Sequence, residues 1–187
     1  TAQIMDASPT HCAVQIMDME EEYALRRHSF HLAIAPTKNA DRIEWLVEKS
    51  IEIGIEKISF IRCAHSERTK IDLDRLQRIA ISAIKQSNTS LIPSMQITDY
   101  KSFITNHNTS TLRYIAWCDE NNHEEFAHQD LKDKDVILLI GPEGDFSPEE
   151  VALAEQNGYK AIKLGSRRLR TETAGLYGVC VYAGKQA

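Results

Sequence analysis

Residues 138–151 read LLIGPEGDFSPEEV. The run that leads into them, VILLI at 136–140, is continuously apolar and suits a strand buried on both faces of a parallel sheet. It passes directly into Gly141-Pro142-Glu143-Gly144. The two glycines allow positive φ and close approach of a ligand to the backbone. Pro142 stiffens the loop and lowers the entropy that binding would cost. Ser147, Pro148 and Glu150 then supply an N-cap, a first-turn proline and a capping box, and Gly158 supplies a stop. A strand, a Gly-rich turn and a capped helix in that order mark an α/β unit. Such units hold ligands outside the carboxyl ends of their strands, near the positive end of the next helix. Neither G-x-x-x-x-G-K-[ST] nor G-x-G-x-x-G occurs. Glu-rich turns beside the loop would repel a polyphosphate, so a neutral or cationic, adenosine-like ligand fits better. Taken alone, the stretch reads equally well as a structural turn.

A second junction changes that balance. Residues 164–176 read LGSRRLRTETAGL and follow a predicted strand, KAIKLG, at 160–165. Thr171 is placed to cap a final helix running to Lys185. That helix is apolar on most sides, which predicts burial in the core or in a dimer interface. One helix and one strand separate the Ile140-Gly141 and Leu164-Gly165 exits. A parallel sheet brings such exits side by side, with Arg170 and Glu172 at the rim of a shared pocket.

Moving outward, strands and helices alternate, which predicts an α/β fold with a mostly parallel sheet. Phe30 to Ala35 reads as a strand. Asp41 is positioned to cap a helix whose apolar residues Ile43, Leu46, Val47 and Ile51 recur at helical spacing before Gly54. KISFI at 57–61 is a strand. Residues 72–87 form a second amphipathic helix with Leu73, Leu76, Ala80, Ala83 and Ile84 on one side. LRYIAWC at 112–118 is a further strand. Residues 1–27 differ: CAVQIMDM at 12–19 alternates like a strand, and the turn signal DASPTH precedes it. Because the chain begins with Thr1, this segment is expected to be the end of a small β domain that starts earlier.

The chain has 187 residues, 42% of them hydrophobic and 26% charged, the profile of an ordinary globular protein. No run approaches the roughly 18 apolar residues of a membrane helix, and no signal-peptide pattern opens the sequence. The four cysteines form no C-x-x-C pair and have no histidine-rich neighbourhood. They read as reduced thiols in a cytoplasmic setting, with no metal site expected. A net charge of −5 argues against broadly nonspecific nucleic-acid binding. Three local basic clusters remain: Arg26, Arg27 and His28; Arg62, His65, Arg68 and Lys70; and Arg167, Arg168 and Arg170.

The pair LLIGPEGDFSPEEV and LGSRRLRTETA resembles the signature of the RsmE family, 16S rRNA (uridine N3) methyltransferases of the SPOUT superfamily. DRIEWLVEKSIEIGIEKISFI at 41–61, SERT at 66–69 and AIKQSN at 83–88 resemble further family landmarks. The resemblance spans residues 28–187, and residues 1–27 are similar to the end of the family's PUA-like RNA-binding domain. It implies a SPOUT-type parallel sheet with a C-terminal trefoil knot, an exception to the rule that chains avoid threading. It also implies S-adenosylmethionine in the knot, a homodimer, no membrane association, and 16S rRNA in the 30S subunit as substrate.

Carried over by motif, Ile140, Gly141, Pro142, Glu143 and Gly144 match the first cofactor loop. Leu164, Gly165, Leu169, Arg170, Thr171 and Thr173 match the second, with Cys118 at a third wall. Arg170 is the candidate to stabilise the uridine anion, being always charged and beside the loop. Glu172 is either a base or a structural group of the final helix. Arg26, Arg27, Arg68, Lys70 and Arg168 are candidates for RNA phosphate contacts. The family usually has a second glycine where this chain has Asp145, and an arginine often follows the QS landmark where this chain has Thr89 nearby. A tRNA methyltransferase of the same superfamily and an RNA-binding module without catalysis are the alternative readings.

Overall fold

The structure is a computed structural model that describes residues 1–19, 27–67, 70–106, 111–118 and 124–186. Its core is a six-stranded sheet formed by β3 (Phe30–Ile34), β4 (Lys57–Arg62), β5 (Ser94–Asp99), β6 (Leu112–Ala116), β7 (Val136–Ile140) and β8 (Lys160–Ile162). The spatial order is β5-β4-β3-β7-β6-β8, and every neighbouring pair is parallel. An α/β architecture with a parallel sheet is therefore what the alternating pattern foretold. β7, read as the most apolar strand, lies between β3 and β6 and is buried along its whole length.

Side chains alternate between the two faces of the sheet. Phe30, Leu32 and Ile34 of β3 join Val136, Leu138 and Ile140 of β7 on one face. Helices α1 (Ala40–Ile53), α2 (Leu73–Ser87) and α5 (Thr171–Gln186) contribute Leu46, Leu76 and Tyr182 to that core. Ala33, Ile137 and Leu139 face the other way, toward Phe103 of α3 (Tyr100–Thr105) and Val151 of α4 (Pro148–Gln156). Helix α5 approaches the sheet so closely at Gly178 that a Cβ there would stand 2.3 Å from Leu138 Cδ2. The apolar surround predicted for this helix is thus burial against β3, β7 and α1.

Local signals hold with two corrections. Ser147 and Glu150 form the expected capping box with Pro148 in the first turn, and Gly54 closes α1 in the left-handed region at φ 99°. Asp41 does not cap α1. Asn39 does, its side chain accepting from the Asp41 N–H, so the helix starts two residues earlier than the carboxylate suggested. Thr171 likewise does not cap α5. It is the first helical residue, and the Arg170 carbonyl takes the Ala174 N–H. β5 and α3 are elements that the sequence pattern left unassigned. Residues 1–19 form a hairpin, β1 (Ala2–Ala7) with β2 (Cys12–Ile16), closed by the expected turn at Ser8 to His11. No described helix is long and apolar enough to cross a membrane.

Candidate functional site

The exits of β6, β7 and β8 open into one cavity of about 780 Å³. β7 delivers Ile140, Gly141, Pro142 and Glu143, together with Asp145. β8 delivers Leu164, Gly165, Leu169, Arg170 and Thr171. β6 delivers Cys118. The two glycine exits and the third wall named from sequence therefore meet at one place. Gly144, Glu172 and Thr173 do not line it. Gly144 faces His65, and Thr173 is exposed on α5.

The walls are largely apolar: Ala116, Ile140, Pro142, Ile162, Leu169 and Ala174 contribute. Gly141 is tightly enclosed: a Cβ would sit 3.1 to 3.2 Å from the Phe146 ring and backbone nitrogen, so that Phe146 would have to give way by a few tenths of an ångström. Gly165 lies at φ 114°, a conformation side chains rarely adopt. The two loops are joined where the Thr171 hydroxyl donates to the Gly141 carbonyl at 3.2 Å, both groups being buried. Glu143 is held from outside the cavity, its Oε1 accepting from the Lys38 N–H at 3.0 Å. Lys38 Nζ pairs with Glu67 at 2.8 Å, and that partner raises the lysine's pKa above its ordinary value.

Asp145 occupies the left-handed region at φ 63°, a conformation that favours glycine. Asp tolerates this conformation because its side chain bonds locally. Oδ1 accepts from the Phe146 N–H at 2.8 Å, and the Asp145 N–H donates to the Pro142 carbonyl at 2.9 Å. Glu172 is buried at the start of α5. Its Oε1 lies 3.6 Å from Arg42 Nη1, and Oε2 accepts no hydrogen bond among the described residues. Cys63 is buried behind the first loop, where desolvation first and the Glu150 charge second push its thiol pKa far up.

Of the phosphate candidates, Arg27, Lys70 and Arg168 are exposed, and Arg26 and Arg68 lie outside the described residues. Arg168 stands at the cavity. Lys70 follows the carboxyl end of β4, whereas Arg27 precedes the amino end of β3. Arg27 and Lys70 therefore adjoin opposite ends of the parallel strands. Sequence reasoning also missed Trp117, Lys163, Ser166 and Arg167 as lining residues. Each immediately adjoins a named residue, whereas Ala116 and Ile162, the last residues of β6 and β8, also line the cavity and adjoin none. Among the described residues, no group of histidine, cysteine and carboxylate side chains is arranged to hold a metal.

A parallel sheet whose adjacent strand exits share a nucleoside-sized, glycine-cradled cavity defines an α/β ligand-binding or transferase domain. A model of the RNA methyltransferase domain matches residues 25–182, and the chain belongs to that family. The RsmE resemblance drawn from the two motifs agrees with its relatives. The ribosomal RNA small subunit methyltransferase E of Mesomycoplasma hyopneumoniae is 30% identical over 152 residues, covering 78% of this chain and 64% of that protein. The chain thus spans less than two thirds of that relative's length. A crystal structure from Porphyromonas gingivalis, described as a probable rRNA-methyltransferase, superposes with a TM-score of 0.90 at 39% identity over 99% of this chain and 79% of that one. A Legionella pneumophila protein described as a methyltransferase, solved with its bound cofactor SAM, gives a TM-score of 0.82 at 28% identity over 99% and 78%.

Proposed function

We propose that this chain carries out S-adenosylmethionine-dependent methylation of uridine N3 in 16S rRNA of the small ribosomal subunit. The observation that carries the reading is the cavity where three strand exits meet, two of them tied together by the Thr171–Gly141 hydrogen bond. Its volume falls in the range that encloses a nucleoside-sized ligand. Its largely apolar walls suit an adenosine-like group, and the sequence carries neither of the Gly-rich phosphate-binding motifs. The structural neighbour with bound SAM and the rRNA-directed relatives support the same choice.

In this reading Ile140, Gly141, Pro142 and Glu143 hold the cofactor from one side. Leu164, Gly165, Leu169 and Thr171 hold it from the other, with Cys118 at the third wall. When bound, SAM supplies an electrophilic methyl group on its sulfonium. Arg170, which lines the cavity and is always charged, stabilises the uridine anion left when N3 loses its proton. Arg168 and Lys70 hold phosphates and position the RNA without reading its sequence. Glu172 acts structurally, because its carboxylate is turned toward Arg42 on α1 and does not line the cavity.

The same reading includes a C-terminal trefoil knot and a homodimer whose partner completes each site. Residues 1–27 are read as the end of a PUA-like RNA-binding domain, residues 28–187 as the SPOUT methyltransferase domain, and the setting as cytoplasmic. The test uses methyl-labelled SAM with 30S particles lacking the modification, and tRNA in parallel. Formation of N3-methyluridine in 16S rRNA, read by mass spectrometry, is expected. Label in tRNA alone, or in neither RNA, overturns the substrate. Absence of S-adenosylhomocysteine binding to the folded chain overturns the cofactor.

A further inference from the structure

Among the described residues between β4 and α2 none lines the cavity, yet Ala64 and His65 are fastened to the first glycine loop and the helix after it. His65 Nδ1 lies 3.0 Å from the Asp145 carbonyl oxygen. Next to it, the Ala64 N–H donates to Glu150 Oε1 at 2.8 Å, while Glu150 Oε2 accepts from the Ser147 N–H at 2.9 Å. One carboxylate thus serves both the capping box of α4 and the segment lying over it. Gly144 provides the room: a Cβ there would stand 3.1 Å from His65 Cβ.

The direction of the His65 contact follows from its acceptor. A carbonyl oxygen only accepts, so Nδ1 carries the proton, and neutral and charged imidazole can both donate. Asp145 sits in the left-handed region, where a non-glycine residue needs compensation. Its N–H and its side chain find that compensation within the loop, at Pro142 and Phe146. Its carbonyl finds it outside, at His65. The imidazole is therefore the external anchor of the loop at the residue where the chain departs from glycine.

We propose that His65 is a positioning residue that holds residues 141–146 in the cofactor-receiving shape, acting through the Asp145 carbonyl. This rests on reading the cavity as the methyl-donor site. Since His65 does not reach the cavity, it sets cofactor affinity and leaves the chemical step alone.

The test compares the 187-residue chain with His65→Ala and His65→Asn. The readouts are calorimetric titration with S-adenosylhomocysteine and amide hydrogen exchange of the ligand-free chain. Loss of one exposed hydrogen bond is expected to weaken S-adenosylhomocysteine binding about fivefold in His65→Ala. The Asp145 and Phe146 amides exchange faster by a similar factor, and KM for the methyl donor rises with kcat unchanged. In His65→Asn the side-chain amide nitrogen stands near the place of Nδ1 and can donate in its stead, so both readouts return to within about twofold of wild type. Wild-type exchange rates at these amides in His65→Ala overturn the proposal, as does His65→Asn being as impaired as His65→Ala. If the wild-type chain binds no S-adenosylhomocysteine, the cofactor reading fails, and the exchange measurement alone decides the role of His65.

Discussion

The Thr171 hydroxyl donates to the Gly141 carbonyl at 3.2 Å and so ties together two loops that lie 30 residues apart in the chain. Thr171→Val keeps the shape and removes the donor, leaving a buried carbonyl without its partner. A stability loss of about 1–2 kcal/mol is expected in urea unfolding. A weakening of S-adenosylhomocysteine binding by about tenfold is expected in titration. Thr171→Ser, which retains the hydroxyl, should stay near wild type. Equal behaviour of the Val and Ser variants would show that the tie contributes nothing.

Asp145 combines a left-handed backbone with a local side-chain acceptor. Asp145→Ala retains the strained φ and loses the acceptor, so it should destabilise the fold by about 1 kcal/mol. Asp145→Gly relieves the strain and should be at least as stable as wild type. Urea midpoints decide, and an Ala variant as stable as the Gly variant contradicts this account.

Arg170 lines the cavity, and its side chain is always charged. Arg170→Ala is expected to lower kcat about 100-fold, the scale seen when one donor to a developing anion is removed. Its effect on S-adenosylhomocysteine affinity should be smaller. Wild-type turnover in this variant removes the catalytic assignment.

Cys12, Cys118 and Cys180 are exposed and Cys63 is buried with its thiol pKa pushed up. Native-state alkylation followed by peptide mass spectrometry should modify the first three and spare Cys63, because the thiolate is the reactive form. Since Cys118 lines the cavity, S-adenosylhomocysteine should slow its labelling and leave Cys12 unchanged. Unprotected Cys118 would place the ligand elsewhere.

Gly178 and Gly184 both lie in α5 with opposite surroundings. A Cβ at Gly178 would stand 2.3 Å from a buried Leu138 methyl, whereas one at Gly184 meets nothing within 4 Å. Gly178→Ala should cost about 1–2 kcal/mol, overpacking outweighing the gain in helix propensity. Gly184→Ala should gain about 0.5 kcal/mol, a small stabilisation from propensity alone. Thermal unfolding of the two variants separates the effects.

The sequence by itself determined the elements whose signals are local. VILLI has no polar residue to expose, which suits an interior strand, and Ser147 and Glu150 satisfy each other's helix-end N–H groups while Pro148 has no N–H to satisfy. Both glycine exits were legible because turn chemistry is written in adjacent residues, whereas Cys118 was placed at the site only by the family resemblance. β5 and α3 were not, since SMQITD is a half-exposed edge strand whose mixed pattern carries little periodicity. Tertiary structure alone decided the contacts between distant segments. Thr171 looked like a cap but bonds to Gly141, Glu172 turns toward Arg42, and His65 reaches Asp145 across 80 residues of chain. A side chain's partner is fixed by which strands the sheet places side by side, and the order β3-β7-β6-β8 is a property of the whole packed core.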